Sequence, residues 1–155
     1  MSALLDNFEN SLVDFLYRGQ SLTVGGQTIS WSTAPTYYVG LFTVMPTDAG
    51  GGTEVSGGSY ARVPIQASLA NFAGTQGAGS TTASTGTSGQ TSNNVSVTFP
   101  TPTADWGTAV GFGLFSTLSG GTPIQAGALN QSLIIQNGQS APMFEPGAIV
   151  IKVDN

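Results

Sequence analysis

Few residues in this chain could do chemistry. The sequence contains no histidine and no cysteine, and it has three basic residues and eight carboxylates in 155 positions. Histidine is the usual general base, and thiolates are common nucleophiles and zinc ligands, so most catalytic and zinc-binding arrangements are excluded. Serines are plentiful, but without histidine they lack the base that usually activates them. We therefore predict that the protein is not an enzyme and needs no cofactor.

The carboxylates are the remaining candidates. Asp48 and Glu54 flank three consecutive glycines at 50–52, which could hold calcium through carboxylate and carbonyl oxygens. The alternating acidic spacing of a calcium loop is absent, and no Gly-Lys-Ser/Thr follows to make a phosphate loop. No segment assembles the acid and nucleophile pair of a glycosidase. The sequence predicts no metal site and no catalytic residue.

Tyr60 and Arg62 are two positions apart, so they project from the same face of a strand. The carboxylate of Glu54 or of Asp105 could accept both arms of the guanidinium fork. This pattern favours a structural salt bridge. The alternative is a salt bridge between subunits, because arginine and tyrosine are enriched in interface cores.

The chain is unusually poor in charge. Charged residues make up 7% of it, against about 25% in typical soluble domains. A net charge of −5 argues against binding nucleic acid, and no basic segment could attract an anionic membrane. There is no apolar run of membrane-spanning length, and the N-terminus lacks the basic region of a signal peptide. We expect the protein to stay in the cytoplasm where it is made, unless it leaves as part of a larger particle, and we expect protein partners to cover part of its surface.

Residues 3–18 form the one segment with a clear helical period. Its apolar residues fall on one face: Leu4, Leu5, Phe8, Leu12, Phe15 and Leu16. Its polar residues fall on the other: Asp6, Glu9, Asn10 and Asp14. Ser2 can cap the start, and Gly19 can end the helix after Arg18. The helix either packs on its own domain or docks on a neighbouring subunit.

The rest of the chain is mainly β. Short β-prone runs separated by turn residues occupy 36–43, 59–66, 94–99, 109–116, 123–129, 133–136 and 148–154. The pattern predicts one domain over 1–155 that is an antiparallel β-sandwich, jelly-roll-like, with its first strands in 36–73 and the others in 95–155. We expect the core to contain the aromatic residues Tyr38, Phe42, Phe99, Trp106, Phe112 and Phe115.

A Gly/Ser/Thr-rich arm at 74–94 separates the two groups of strands. It has no apolar side chain larger than alanine, so alone it would be a flexible loop. Such a segment is ordered only when something holds it, and we expect neighbouring subunits to do so. The candidate contacts with subunits or other partners are Leu5, Phe8, Leu12, Phe15, Arg18, Tyr60, Arg62, Gly79, Ser84 and Thr87.

Three stretches resemble a family of small tailed-bacteriophage virion proteins. They are LLDNFENSLVDFLYRG (4–19), YYVGLFTVMPTDAGGGTEVSGGSYAR (37–62) and FPTPTADWGTAVGFGLFSTLSGG (99–121). Some members look like capsid cement proteins, and others are described as tail-fibre-like. The resemblance implies a virion structural protein with no catalytic residues.

The first hypothesis from this resemblance is a cement, or decoration, protein on the outside of the capsid. It would be a homotrimer or a dimer and would stabilise the lattice by non-covalent contacts with the major capsid protein. The alternative is a tail-fibre or receptor-binding module that recognises a host surface glycan. That alternative predicts an exposed aromatic groove, with Trp31 or Trp106 in it. The chain is short and has no heptad repeat, which favours the cement hypothesis.

Overall fold

The computed structural model describes residues 4–153. They form two compact units from interleaved segments of the chain. The first, here called the helix unit, contains the chain up to Thr36, Gln66–Ser96 and the chain from Phe144 onward. The second, the sheet unit, contains Tyr37–Ile65 and Val97–Met143. Neither unit is continuous in sequence, so no single cut in the chain separates them.

One α-helix and eleven β-strands are formed by the described residues. Their bounds are α1 Asp6–Arg18, β1 Leu22–Val24, β2 Gln27–Ile29, β3 Thr36–Val44, β4 Thr53–Glu54, β5 Val63–Gln66, β6 Gln90–Ser92, β7 Val97–Thr98, β8 Gly107–Phe115, β9 Gln125–Ile135, β10 Met143–Phe144 and β11 Val150–Lys152. This confirms the predicted fold class, which is mainly β with antiparallel sheets and one helix, as in a β-sandwich-like fold. Helix α1 is not long and apolar enough to cross a membrane.

Helix α1 ends where the sequence predicts. Gly19 adopts φ 69°, and the N–H groups of Gly19 and Gln20 both donate to the carbonyl of Asp14. Glycine is needed here because this φ is left-handed and because a Cβ would lie 2.9 Å from the carbonyl oxygen of Ala67. At the other end, Leu5 precedes the first helical residue without a side-chain cap, and the predicted cap, Ser2, lies outside the described residues.

Helix α1 buries three of its charged side chains. Glu9, Asp14 and Arg18 are buried, with 3%, 8% and 0% of their surface exposed. The apolar face is the more open one, because Leu5 is 78% and Phe8 37% exposed. The buried side of the helix also carries Val13 and Tyr17, and the Tyr17 ring lies 5.8 Å from that of Phe72. Polar side chains can be buried beside these apolar residues where backbone and hydroxyl groups satisfy them.

Two antiparallel strand pairs belong to the helix unit. Strands β1 and β2 form a hairpin across Gly25 and Gly26, which both have positive φ. Strand β6 pairs with β11, so that Thr91 lies opposite Ile151. The β1–β2 hairpin is not among the predicted strands, although a Gly-Gly pair between β-prone residues is a recognised signal for it.

The sheet unit is built on a five-stranded sheet in the order β4-β3-β8-β9, with β5 beside β3. The central strands β3 and β8 are antiparallel and match two predicted runs closely. The predicted runs at 123–129 and 133–136 are one strand, β9. Ala128 pairs with Gly111 and Leu133 with Ala109, so residues 129–132 bulge out of the ladder.

Most of the predicted core aromatics are buried. Phe42, Phe99, Trp106, Phe112 and Phe115 each expose only a few per cent of their surface. Tyr38 is half-buried, and its neighbour Tyr37 is buried instead. The alternation of β3 accounts for this, because Tyr37 and Val39 share the inward face.

Aromatic rings pack directly against the backbone of the central strands at two positions, and this explains why glycine occurs there. A Cβ on Gly40 would lie 2.9 Å from the ring of Phe115, and one on Gly113 would lie 2.5 Å from the ring of Phe42. Only a residue without a side chain fits at these two positions.

Candidate functional site

A buried arginine joins α1 to the Gly/Ser/Thr-rich arm. The Nε of Arg18 donates to the carbonyl of Phe72 at 2.9 Å, and Nη2 donates to the carbonyl of Thr82 at 2.6 Å. Nη1 donates to Oδ1 of Asp14 at 2.6 Å and to Oγ of Ser84 at 3.1 Å. A longer bond of 3.5 Å joins Nη2 to the carbonyl of Ser80. The guanidinium is therefore occupied on all sides by groups of its own chain.

The carboxylate of Asp14 is satisfied by the same arm. Its Oδ2 accepts the backbone N–H of Ser84 at 2.9 Å, and its Oδ1 accepts the Ser84 hydroxyl at 2.6 Å. The Asp14–Arg18 pair is thus a buried ion pair whose remaining hydrogen-bonding groups are filled, and not the exposed helical pair that its spacing suggests. We call Asp14, Arg18 and Ser84 the Arg18 cluster.

Further side-chain bonds hold the arm along its length. The Thr75 hydroxyl donates to Oδ1 of Asn10 and accepts the N–H of Gly86 at 3.0 Å. Asn94 accepts the N–H of Gly79 and donates to the carbonyl of Ser80, both at 2.9 Å. Bonds within the chain therefore hold this segment at several points, and a further contribution from neighbouring subunits stays a prediction.

An open groove of about 570 Å³ lies in the helix unit beside the Arg18 cluster. It is lined by Asn7, Asn10, Ser11, Asp14, Gln20, Ser21, Ala83 and Ser84. These are amide and hydroxyl side chains, apart from Ala83 and one carboxylate that is already paired. Such a lining offers neutral donors and acceptors, which suit a ligand rich in hydroxyl groups. We call it the polar groove.

The sheet unit contains a second buried arginine. The Nε and Nη2 of Arg62 donate to the two carboxylate oxygens of Glu54 at 2.8 and 2.7 Å. Its Nη1 donates to the carbonyls of Thr117 and Gly120 at 2.7 and 2.9 Å. The guanidinium carbon lies 3.3 Å from the centre of the Phe115 ring.

Tyr60 completes this Arg62 cluster, which we define as Glu54, Tyr60, Arg62 and Phe115. Its hydroxyl donates to Oε1 of Glu54 and accepts the N–H of Leu41, both at 2.9 Å. Burial raises the pKa of Tyr60 well above its usual value, and the neighbouring Glu54 carboxylate raises the pKa further. Of the two acceptors considered for Arg62, the structure selects Glu54; Asp105 accepts the N–H of Asn137 instead.

The predicted contact residues are scattered over both units. Arg18 and Arg62 are buried, so their guanidinium groups are engaged within the chain and not offered to a subunit. Four of the others are exposed, namely Leu5, Phe8, Gly79 and Thr87, and four are half-buried, namely Leu12, Phe15, Tyr60 and Ser84. A contact role for these eight residues stays a prediction.

The predicted aromatic groove does not include Trp106, because that residue is buried in the sheet unit. Trp31 is 39% exposed and stacks on Phe15 with ring centres 4.7 Å apart. Its indole N–H also donates to the carbonyl of Phe15 at 2.7 Å. No local pattern predicts the polar groove, because the residues of its two sides are about 70 positions apart in the chain, as Asp14 and Ser84 are.

A mainly β chain whose loops are held by buried hydrogen bonds within each unit is typical of a structural protein, and comparison with known families identifies a bacteriophage virion structural protein. The matching family is described as Podophage GP4 fiber I protein gp80, and the match covers residues 3–152. The chain belongs to this family. No curated protein matches it. Because the family is a fibre family, the match supports the fibre alternative and lends no support to a capsid cement role.

Proposed function

We propose that this chain is a structural subunit of a podophage fibre, and that its polar groove binds a saccharide of the host surface. The observation that carries the fibre assignment is the family match over nearly the whole chain, residues 3–152. The structure supports it in one respect. The loops of both units are fixed by internal hydrogen bonds, as suits a module that must keep its shape outside a cell.

The composition of the groove supports saccharide binding. Sugar hydroxyls both donate and accept, and the amide of Asn7 can do the same. The hydroxyl of Ser11 donates to the carbonyl of Asn7, so it offers the groove an acceptor. A shallow polar groove of this kind binds one sugar weakly. A fibre carries several copies, and simultaneous engagement raises the overall affinity without new contacts.

The location of the chain tests the fibre assignment. Antibody against the folded protein, coupled to gold, is applied to purified virions and viewed by electron microscopy. Quantitative mass spectrometry of the same virions gives the copy number relative to the major capsid protein. Label on the tail with few copies per particle supports the proposal. Label over the head, with a copy number close to that of the major capsid protein, would restore the cement hypothesis.

Saccharide binding is tested separately with the purified chain and host surface polysaccharide. Asn7→Ala removes an amide from the groove, and Ala83→Trp fills part of it with a bulky ring. Each neutral hydrogen bond is worth about 1 kcal/mol, so we expect Asn7→Ala to weaken binding roughly fivefold and Ala83→Trp to weaken it more. The control is Gln131→Ala, an exposed amide in the sheet unit. Equal binding by all four proteins overturns the groove assignment and leaves the fibre assignment intact.

A further inference from the structure

One large aromatic side chain of the helix unit is both exposed and rigidly held. Trp31 keeps 39% of its surface open to solvent, although tryptophan is highly buried on average. Phe15 stacks on the indole with ring centres 4.7 Å apart and planes 14° from parallel, and the indole N–H donates to the carbonyl of Phe15 at 2.7 Å. The stack and the bond together fix the orientation of the ring, so a ligand that binds to it need not order a mobile side chain.

Two contacts place Trp31 beside the polar groove. Phe15 lies one turn after Ser11, a groove residue, on the same side of α1. Ser30, which precedes Trp31 in the chain, shares a hydrogen bond of 2.8 Å with the hydroxyl of Ser21, another groove residue. The indole therefore lies next to the groove, on the side of Ser21.

An indole ring beside neutral hydrogen-bonding groups matches the two kinds of surface that a pyranose sugar presents. The ring carbons of a pyranose form a face of C–H groups, whereas most of its hydroxyl groups project from the edge. The face of an aromatic ring carries partial negative charge, so it attracts C–H groups that lie over it. The amide of Asn7 and the hydroxyl oxygens of Ser21 and Ser30 can bond to the sugar hydroxyls at the same time.

We infer that Trp31 is the stacking platform of a pyranose subsite on the Ser21 side of the polar groove. The inference rests on the proposed saccharide binding, and it adds a binding residue that lies outside the groove lining. The indole contacts the C–H face of the sugar, and the groove binds its hydroxyl groups. Ligand pockets commonly combine such an apolar or aromatic surface with a few fixed polar groups.

Binding of host surface polysaccharide to the purified full chain tests the inference through two substitutions at one position. Trp31→Phe keeps an aromatic face and loses the bond to the Phe15 carbonyl, whereas Trp31→Leu keeps an apolar side chain and loses the aromatic face. We expect binding to weaken by roughly tenfold for Trp31→Leu and by no more than about threefold for Trp31→Phe, because tryptophan contacts are among the costliest to remove from binding sites. Val24→Ala is the matched control, since Val24 is 44% exposed and the hairpin register places it at the turn, away from Ser21 and Ser30. Circular dichroism establishes that each variant is folded.

Tryptophan fluorescence gives a second, independent measurement. The chain contains two tryptophans, and Trp106 is buried, so a soluble quencher such as acrylamide reaches Trp31 more readily. We expect a saturating concentration of the polysaccharide to reduce acrylamide quenching of the wild-type chain. The same addition should leave the quenching of Trp31→Phe unchanged, because only the buried Trp106 then emits.

The results separate this inference from the proposed function on which it rests. Binding that weakens in Asn7→Ala but is unchanged in Trp31→Leu, with no protection from acrylamide, overturns the role of Trp31 and leaves saccharide binding by the groove intact. Equal weakening by Trp31→Leu and Trp31→Phe also overturns it, because the bond to Phe15 and not the aromatic face would then matter. A wild-type chain that binds no polysaccharide overturns both.

Discussion

Arg18 in the helix unit and Arg62 in the sheet unit are both buried, both paired with a carboxylate and both bonded to backbone carbonyls of loops. They differ in what surrounds them. Arg62 lies on the ring of Phe115 within an aromatic core, and it adds two bonds to a short loop at Thr117 and Gly120. Arg18 instead faces an arm that has no apolar side chain larger than alanine. In the helix unit, polar bonds replace the apolar contacts that would otherwise hold a loop.

The carboxylates of the two clusters differ in how far they are exposed to water. The side chain of Asp14 is 11% exposed and that of Glu54 is 26% exposed. Water can therefore hydrate Glu54 if its arginine is removed, but it reaches Asp14 much less easily. Breaking a buried pair is costly mainly because it leaves a charge unpaired. The two clusters therefore contain similar bonds, but the loss of those bonds has different consequences in each.

The largest effect is expected from Arg18→Met. It leaves Asp14 buried without its cation and removes the donors to Phe72, Ser80 and Thr82. We expect the free energy of unfolding to fall by about 3–5 kcal/mol, the range for removing one partner of a buried ion pair. Urea denaturation measures this loss. Hydrogen exchange followed by mass spectrometry should show faster exchange throughout 74–94.

Arg62→Met is the matched change in the sheet unit, and its effect should be smaller. Glu54 can be hydrated and the aromatic core remains, so we expect a loss of about 1–3 kcal/mol. Faster hydrogen exchange should be confined to the loop near Thr117 and Gly120. If Arg62→Met proves more destabilising than Arg18→Met, or loosens 74–94 as strongly, the contrast between the clusters is wrong.

Alkaline pH should destabilise the sheet unit. The pKa of Tyr60 is raised in the folded protein, chiefly by burial, and that of Tyr37 is raised by burial as well. The unfolded chain therefore loses these protons near pH 10 while the folded chain keeps them. Stability is fully present below about pH 10 and falls as the pH rises above it. Because Tyr60 is half-buried and partly screened by water, we expect less than about 1 kcal/mol per pH unit from it.

Tyr60→Phe isolates the contribution of this phenol. Urea denaturation at several pH values between 9 and about 11.5 should show a flatter decline for Tyr60→Phe than for the wild-type chain. Tyr37→Phe removes the hydroxyl of the other tyrosine of this unit whose pKa is raised, so it should flatten the decline as well. A decline that is equally steep without either hydroxyl would show that groups outside the sheet unit cause it.

Local rules predicted the sheet unit better than the helix unit. The runs that became β3 and β8, and the shared face of Tyr60 and Arg62, depend on the period of a strand, which is visible over a few residues. The orientation of α1 depends on partners such as Thr82 and Ser84, which are 64 and 66 residues away from Arg18. The rule that polar residues face water assumes that no other donors or acceptors are near. Here the arm supplies these donors and acceptors. They lie too far from the helix in the sequence for a local pattern to reveal them.

The predicted contact residues could be recognised only in part for the same reason. Leu5 and Phe8 were identified from their apolar type, and exposure then had to be learned from the fold. Arg18 is one of three basic residues in the chain, and residue type alone cannot distinguish a surface cation from a buried one. Arg18 occurs in a chain that also contains the Gly/Ser/Thr-rich arm at 74–94. This combination of a basic residue with a segment rich in hydroxyl groups could have indicated that the arginine is buried.

The smallest effect that still separates the two clusters is expected from Ser84→Ala. The hydroxyl donates to Asp14 and accepts N–H bonds from Arg18 and Thr75, so its loss leaves the ion pair in place but with one fewer bond on each partner. We expect a loss of about 1 kcal/mol by urea denaturation, with faster exchange around residue 84 alone. Thr87→Ala is the control in the same arm, since Thr87 is exposed and its change should stay within about 0.5 kcal/mol. Equal stability of the two alanine variants would show that backbone contacts hold the arm. The hydroxyl groups would then not take the place of an apolar core.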